Sequence, residues 1–476
     1  MLFEAIGWKI QHIPQLQLNR TLKEKPDYAV SELRNKDKIY ITKDFPALSK
    51  PEEALAEKIF TDFIQGKKSK KNYSMELAVK NFCEKNLIEL EEIQEKYIAF
   101  VLESIVNGFG VLNNFLANND LEEIAVIGTG KAKPVFVYHK SFGWLKTNVF
   151  FKNDQAVTDA ANKMALKIGR HLSFYNPYIN AFLPDGSRLN ACMPPMALEP
   201  TLTIRKFRET PFTPADLIKN KTISSHAMAF LWMAMATDLS ILISGNTGSG
   251  KTSTLNALFA FVPKNERIII AEETPEIVLA HDHVARLKTV ESIDISMEEM
   301  ITNTLRMRPD RIIVGEIRTK EEVTAFVNTM LSGQGKGSVA TFHAKSAQET
   351  IQRLEKLGVK ETDIGAIDLV IVQKRWDKID LLKKTRTETR KVTEISEILS
   401  SQGQSRLNTV FEFNYAKNCI EEKNKSSRVM EKICRSFGVS EKQAFKEIGK
   451  RADFLEKMKE KETPIQEFFR LVNDEF

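Results

Sequence analysis

Short apolar runs recur along residues 215–400, and segments with helical spacing separate them. The runs are SILISG, RIIIAEE, RIIVGE, SVATFH and DLVIVQKR, most of them rich in β-branched residues. Buried strands that alternate with helices are typical of a parallel sheet with helices on both faces. The pattern therefore predicts an α/β domain with a parallel, doubly wound sheet over residues 215–400.

Residues 96–207 show both the strand and the helix period. VFVYHK and TLTIRKF alternate as strands do, and LPDGSRLN contains the Asp-Gly dipeptide of a tight turn. The segment AVTDAANKMALKIG has helical spacing. We therefore predict an α+β domain over residues 96–207. RETPFTPAD, with two prolines, predicts a linker at residues 208–214.

The two ends of the chain are less regular. Residues 1–95 mix short strand-like pieces such as DKIYITK with charged helical segments, which predicts a variable α+β region. Residues 401–476 are rich in lysine and carry helix-start signals at Ser440 and Thr463, each with a glutamine three residues further on. We therefore predict a helical region from residue 401 to residue 476.

Composition narrows the class of protein. The chain has 476 residues, of which 42% are hydrophobic and 28% charged, with a formal net charge of +6. These are the proportions of a globular protein, and so small a positive excess does not indicate nucleic-acid binding. None of the four cysteines forms a C-x-x-C pair, so neither a zinc ribbon nor a disulfide framework is indicated. Reduced cysteines suit the cytoplasm.

The longest apolar run is AMAFLWMAMA, Ala227 to Ala236. It is half as long as the roughly 20 residues that a membrane span needs, so we predict a buried helix. The N-terminal MLFEAIGWKI has an early glutamate and no small-residue cleavage site, unlike a signal peptide. The sequence therefore predicts a cytoplasmic chain without a transmembrane segment, which would act at a membrane through a partner.

The stretch GNTGSGKT matches the phosphate-binding pattern G-x-x-x-x-G-K-[ST] in full, between a strand and a helix. Its glycines let backbone N–H groups turn toward phosphates, and the helix start adds partial positive charge. Lys251 is expected to reach the β and γ phosphates, and the Thr252 hydroxyl to ligate Mg²⁺. The predicted nucleotide-binding residues are Gly245, Asn246, Thr247, Gly248, Ser249, Gly250, Lys251, Thr252 and Ser253.

The hydrolytic carboxylate is harder to identify. In most P-loop NTPases a buried strand delivers an aspartate to Mg²⁺, but the strand of RIIVGEIRT ends in Gly315 and Glu316. Another strand, in IIIAEETPEI, is followed by Glu272, Glu273 and Glu276. If this strand lies beside the P-loop strand, its glutamates reach the edge where α/β sheets bind ligands. The residues alone leave open whether the chain hydrolyses nucleotide.

Several elements, in order, resemble the type II/type IV secretion ATPase superfamily, whose members drive type IV pili, archaella and secretion machines. They are GNTGSGKT, the EETPEI acidic box, LRMRPDRIIVGEIRT and TFHA, while LPDGSRLN and TLTIRKF match the domain before the motor. The resemblance covers about residues 100–400. It implies a RecA-like motor behind a PAS-like α+β domain. Because the family uses a Gly-Glu pair at this strand, it also implies that Glu316 is the hydrolytic carboxylate and that the acidic box assists it.

The resemblance also implies roles for basic residues, because arginines of both domains reach phosphates in the family, some of them across subunits. The matching positions are Arg188, Arg205, Arg306 and Arg318, and the retained histidine of the TFHA box is His343. One position departs from the family, since Lys336 stands where a histidine is usual. A lysine stays charged where a histidine titrates, so Lys336 suits phosphate sensing or a subunit contact better than a proton relay.

The resemblance further implies a homo-hexamer that uses ATP and Mg²⁺ and acts on a multi-span membrane platform protein at the inner face of the cell membrane. The chain is rich in lysine and isoleucine and contains the stretch VYHKSFGWLKTN, and in these features it most resembles archaeal members. Two other functions stay open on the residues: a nucleic-acid translocase or DNA-transfer motor, because a RecA-like core also powers helicases, and a non-hydrolysing nucleotide-binding scaffold, which Gly315 would suit. Direct nucleic-acid binding is not expected, because the sequence has no basic groove interleaved with aromatic residues.

Overall fold

The structure is a computed structural model that describes the chain except residues 1–6, 12–16, 44, 46–47, 67–73, 208–209, 290–294, 334, 381–384, 402–403 and 476. The chain divides into two compact units, residues 1–207 and 208–476. Each unit has its own hydrophobic core.

In the described part of the first unit, the strands are β1 (Trp8–Ile10), β2 (Leu18–Glu24), β3 (Tyr28–Leu33), β4 (Lys38–Thr42), β5 (Leu121–Val126), β6 (Phe136–His139), β7 (Gly143–Thr147), β8 (Val149–Phe151), β9 (Tyr178–Phe182), β10 (Arg188–Cys192) and β11 (Thr201–Arg205). The helices are α1 (Lys50–Gly66), α2 (Met75–Lys85), α3 (Glu92–Val106), α4 (Leu112–Ala117) and α5 (Asp154–Leu166). One sheet has the order β2-β3-β4-β7-β6-β5-β11-β10-β9, and β1 pairs with β8.

Alternation along these strands decides which side chains enter the first core. On β10, Leu189 and Ala191 are buried while Asn190 between them is exposed, because successive side chains of a strand point to opposite faces. The buried side chains pack with Val157 and Met164 of α5. Helices α1, α2 and α3 enclose a separate small cluster. The predicted α+β class of this unit is confirmed.

In the described part of the second unit, the strands are β12 (Ile241–Gly245), β13 (Ile268–Glu272), β14 (Val284–Lys288), β15 (Arg311–Ile317), β16 (Ser338–Phe342), β17 (Leu369–Asp380), β18 (Thr385–Ser401), β19 (Gln404–Asn414) and β20 (Cys419–Glu422). The helices are α6 (Pro214–Lys219), α7 (Ser225–Met235), α8 (Lys251–Phe259), α9 (Met297–Thr304), α10 (Lys320–Leu331), α11 (Ala347–Lys356), α12 (Glu361–Ile364), α13 (Arg428–Phe437), α14 (Glu441–Met458) and α15 (Ile465–Glu475).

The sheet of the second unit has the order β14-β13-β15-β16-β12-β17-β18-β19-β20. Neighbours from β14 to β17 are parallel, and β18, β19 and β20 continue the sheet as an antiparallel extension. Strand β12 is buried at every position: Ile241 and Ile243 belong to one core cluster and Leu242 to another. Burial on both faces is the mark of a parallel sheet covered by helices. The predicted parallel, doubly wound class is confirmed.

The apolar run AMAFLWMAMA lies mostly in α7, whose residues Ala227 to Met235 are all buried. Trp232 of this helix stacks on Phe261 at a centroid distance of 4.7 Å. The run is therefore a core helix. Among the described residues, no helix combines the length and the apolar character that crossing a membrane requires.

Two boundaries differ from the sequence prediction. The predicted helical region does not begin at residue 401, because β19 and β20 form strands of the sheet and the tail helices begin only at α13. The helix-start signals that suggested a helical region lie further along the chain, at Ser440 and Thr463, and were extended back over β19 and β20. The predicted linker also ends earlier, because Thr213 caps α6 and Pro214 is at its start, where proline is favoured.

Candidate nucleotide-binding site

The GNTGSGKT loop joins the end of β12 to the start of α8. Gly248 and Gly250 have φ angles of 71° and 96°, which residues with a side chain rarely adopt. A Cβ atom added to Gly245 would lie 2.1 Å from the carbonyl oxygen of Gln373 on β17. The path of the loop therefore requires glycine at all three positions.

Two polar side chains of this loop are buried with few partners. Ser249 Oγ is buried and has no hydrogen-bond partner among the described residues. Lys251 is 8% exposed, and its ammonium donates a hydrogen bond of 3.2 Å to the Gly245 carbonyl oxygen. Burial lowers the pKa of Lys251, and the nearby carboxylates of Glu316 and Glu276 oppose this shift. A buried hydroxyl and a buried ammonium at a helix start fit a phosphate chain.

The acidic box follows β13, which is not beside the P-loop strand as the sequence suggested: β15 and β16 stand between β13 and β12. Glu272 at the end of β13 accepts hydrogen bonds of 2.9 Å from the backbone N–H groups of Glu276 and Ile277. This contact holds the loop so that Glu276 Oε2 lies 3.4 Å from Thr252 Oγ1. The box reaches the P-loop through this loop, and Glu272 positions it.

Gly315 occupies the place where an aspartate was expected. A close contact and a shift of strand register account for the glycine. A Cβ atom at Gly315 would lie 3.0 Å from Cγ of Glu272, so the Glu272 side chain fills that space. The pairing of β15 with β16 shifts register between Val314 and Ile317, which puts Gly315 and Glu316 in a β-bulge. Such a bulge re-aims a side chain, and here the side chain is that of Glu316.

Glu316 lies at the centre of a charged cluster. Arg318 donates to Glu316 at 2.6 Å and to Glu273 at 2.5 Å, and His343 Nε2 contacts the other Glu316 oxygen. Burial raises the pKa of the Glu316 carboxyl, but Arg318, His343 and Lys251 outweigh this and lower it overall. Burial also lowers the pKa of His343, aided by the charge of Lys251. Glu316 is therefore held as a carboxylate close to the P-loop lysine.

Two of the predicted basic residues lie near the amino ends of the strands, away from the P-loop at the carboxyl ends. Arg306 is exposed and precedes the amino end of β15, whereas Glu316 is near its carboxyl end. Lys336 precedes β16 and forms an ion pair of 3.0 Å with buried Glu266, which also binds Arg311. The fold does not bring Arg306 or Lys336 to the P-loop of the same chain.

Arg188 and Arg205 belong to the first unit. They are direct partners in the register of β10 and β11, so their side chains share one face of the sheet. The Arg188 guanidinium lies 5.7 Å from the centre of the Phe182 ring, and Arg205 is opposite Glu123 on β5. The structure therefore brings these two arginines to each other.

The sequence did not predict that β17 contacts the P-loop. Thr254 of α8 donates to Gln373 at 2.6 Å, and Asn246 exchanges two hydrogen bonds of 2.8 Å with the main chain of Arg375. No local motif marks Gln373 or Arg375, because their position depends on which strand neighbours β12. The run DLVIVQKR predicted the strand but not its place in the sheet.

A known protein family matches most of this chain. The profile of a family described as Type II/IV secretion system protein matches residues 115–470. The chain belongs to this family. Nucleotide binding and ATP turnover by this chain are proposals.

Individual relatives differ in how much of them the chain covers. An uncharacterized protein of Methanocaldococcus jannaschii is 33% identical over 302 residues, which are 61% of this chain and 53% of that protein, so the chain spans about half the relative's length. A putative conjugal transfer protein of Mycobacterium tuberculosis is 29% identical over 327 residues, 65% of this chain and 90% of that protein. The chain is also similar to the structure of the Legionella pneumophila ATPase DotB, with a TM-score of 0.44 and 18% identity. The aligned region covers 77% of this chain and 94% of the DotB chain.

The buried Glu272 carboxyl makes the stability of the second unit depend on pH. Burial raises its pKa from 4.5 to about 7, so between these values the folded chain binds more protons than the unfolded chain. The free energy of unfolding should therefore fall as pH rises from about 4.5 to 7, by roughly 3 kcal/mol from this group. Glu272→Gln keeps a hydrogen-bond acceptor without the charge. We expect its Tm to fall less than that of the wild type between pH 5 and pH 8; equal decreases would contradict the assignment.

Proposed function

We propose that this chain is a motor ATPase that hydrolyses ATP with Mg²⁺ to power a type IV pilus-like filament, an archaellum or a secretion machine. The observation that supports this most is the gathering of Lys251, Thr252, Glu276 and Glu316 in the second unit. They meet at the carboxyl ends of parallel strands, where α/β proteins bind their ligands.

The residues at this edge fit a magnesium ion and a triphosphate. Thr252 Oγ1 and the Glu276 carboxylate lie side by side, and hard oxygen atoms are the donors that Mg²⁺ prefers. The ion, when bound, neutralises charge on the phosphates. Lys251 would bind the β and γ phosphates, and Glu316 would orient the attacking water and accept its proton. Arg318 and His343 would hold Glu316, with Glu273 steadying Arg318.

The other arginines have different proposed roles. By resemblance to the family, Arg188 and Arg205 would contact the γ phosphate. Arg306 is too far along β15 to serve the nucleotide of its own chain, because a seven-residue strand is about 23 Å long. It would instead act toward a neighbouring copy, which suits the proposed homo-hexamer. Lys336, held by Glu266, would stabilise the amino edge of the sheet.

The proposed setting is the inner face of the cell membrane, where a multi-span platform protein would receive the mechanical output. Family membership supports this setting. We expect no direct contact with nucleic acid. A DNA-transfer motor is the second candidate, because relatives carry the description conjugal transfer protein. A non-hydrolysing scaffold is the third, because Glu316 is already engaged by Arg318 and His343.

Phosphate release from ATP separates these candidates. We expect slow hydrolysis by the full-length chain that stops when EDTA removes Mg²⁺ and returns when Mg²⁺ is restored. Single-stranded and double-stranded DNA should leave the rate unchanged. Nucleotide binding without phosphate release would favour the scaffold, and a rate that DNA raises severalfold would favour the DNA-transfer motor.

A further inference from the structure

The guanidinium of Arg375, on β17, lies against the P-loop, and no sequence motif of the site includes this residue. A Cβ atom on Gly248 would lie 2.6 Å from Arg375 Nη1, so the guanidinium contacts the turn of the loop. The side chain is 40% exposed, which leaves it accessible to a ligand in the loop. Arg375 is thus a cation beside a phosphate cradle, and none of the family motifs includes it.

The order of the strands tells which part of a nucleotide would meet Arg375. Strand β12 has β16 on one side and β17 on the other, and β15 with Glu316 lies beyond β16. The site of hydrolysis is therefore on the β16 side of the P-loop, and the terminal phosphate must face that way. The opposite end of the phosphate chain then faces β17, where Arg375 lies.

We propose that Arg375 binds the inner phosphates of the nucleotide, the part that ATP and ADP share, and so sets affinity without taking part in turnover. This inference rests on the proposed function, because that function orients the phosphate chain. A guanidinium is well suited to the role, since its planar set of donors matches phosphate oxygens.

The neighbours of Arg375 leave it free to respond to an anion. It is the direct cross-strand partner of Arg390, and like charges in that position are unfavourable. Glu388 lies beside this pair and contacts both arginines, but its carboxylate is 2.8 Å from Arg390 and 3.7 Å from Arg375. Arg375 is therefore the more loosely held of the pair. Asp377 also lies on this face, directly opposite Glu388.

The test is the affinity of Arg375→Ala for ADP and for a non-hydrolysable ATP analogue, measured by titration calorimetry. The hydrogen bonds between Asn246 and residue 375 use the main chain of Arg375, so the substitution preserves this support of the loop. We expect both dissociation constants to rise by a similar factor of about 10 to 100, as for loss of a hydrogen bond to a charged group. The kcat at saturating ATP should change less than about twofold, and Arg375→Lys should recover part of the affinity.

Lys378→Ala is the matched control, because it removes the same charge from an exposed position of β17 whose side chain points to the other face. It should bind ADP as the wild type does. Equal ADP affinity in Arg375→Ala and the wild type would overturn the inference while leaving the proposed function intact. A lower kcat with unchanged ADP affinity would also overturn it. A wild-type chain that binds neither nucleotide would instead refute the proposed function.

Discussion

Replacing Glu316 by glutamine should leave ATP bound and reduce turnover by about 10²–10⁴-fold, the contribution of a positioned general base. Glutamine has the shape of glutamate but cannot accept a proton. Its amide can still hydrogen-bond to Arg318 or His343, which now contact the carboxylate. The change therefore removes the chemistry of this group and keeps its place in the β-bulge. The measurements are steady-state phosphate release and the affinity for ATP.

Lys251→Ala is the companion variant, because it should lose both binding and turnover. Lys251 is the buried cation of the phosphate loop, and alanine leaves the β and γ phosphates without it. The two variants thus separate binding from chemistry within the same site. Undiminished hydrolysis in Glu316→Gln would refute the catalytic role of Glu316. Glu276, which lies next to Thr252, would then be the candidate for the catalytic carboxylate.

The sequence predicted those parts of the site that lie in continuous motifs. The loop from Gly245 to Thr252 is local: its glycines, lysine and threonine follow one another between a strand and a helix, and their geometry depends mainly on that order. Glu316 could be assigned only by resemblance, because the contact that disfavours a side chain at Gly315 comes from Glu272, a residue 43 positions earlier in the sequence. No periodicity reveals such a contact.

Residues whose role depends on strand order could not be predicted from the sequence. Arg318 and Arg306 are twelve positions apart, yet one contacts Glu316 and the other precedes the far end of the same strand. Arg375 reaches the P-loop because β17 pairs with β12, which alternating strand and helix patterns leave undetermined. The strands β19 and β20 were mistaken for helix because the helix-start signals at Ser440 and Thr463 were taken to describe the whole tail.

Arg188 and Arg205 are expected to produce the other large effect. In the hydrogen-bonded register of β10 and β11 they oppose each other directly, an arrangement that repulsion makes unfavourable unless an anion lies nearby. Glu123 across from Arg205 is one such group, and burial raises its pKa although the Arg205 charge opposes this. By resemblance to the family, the γ phosphate would be a further anion that these two guanidinium groups bind.

Arg188→Ala and Arg205→Ala should therefore each lower turnover by about 10³-fold or more, as expected when an arginine that contacts the γ phosphate is lost. Affinity for ADP should stay nearly unchanged, because ADP lacks the group that they would contact. Arg20→Ala is the control: it removes an exposed arginine of the same unit that pairs with Glu32 at 3.1 Å, and it should turn over ATP at the wild-type rate. If both variants hydrolyse ATP as fast as this control, Arg188 and Arg205 contribute only to the sheet of the first unit. If ADP affinity falls together with turnover, Arg188 and Arg205 contact the inner phosphates. Assigning the γ phosphate to them and the inner phosphates to Arg375 would then be wrong.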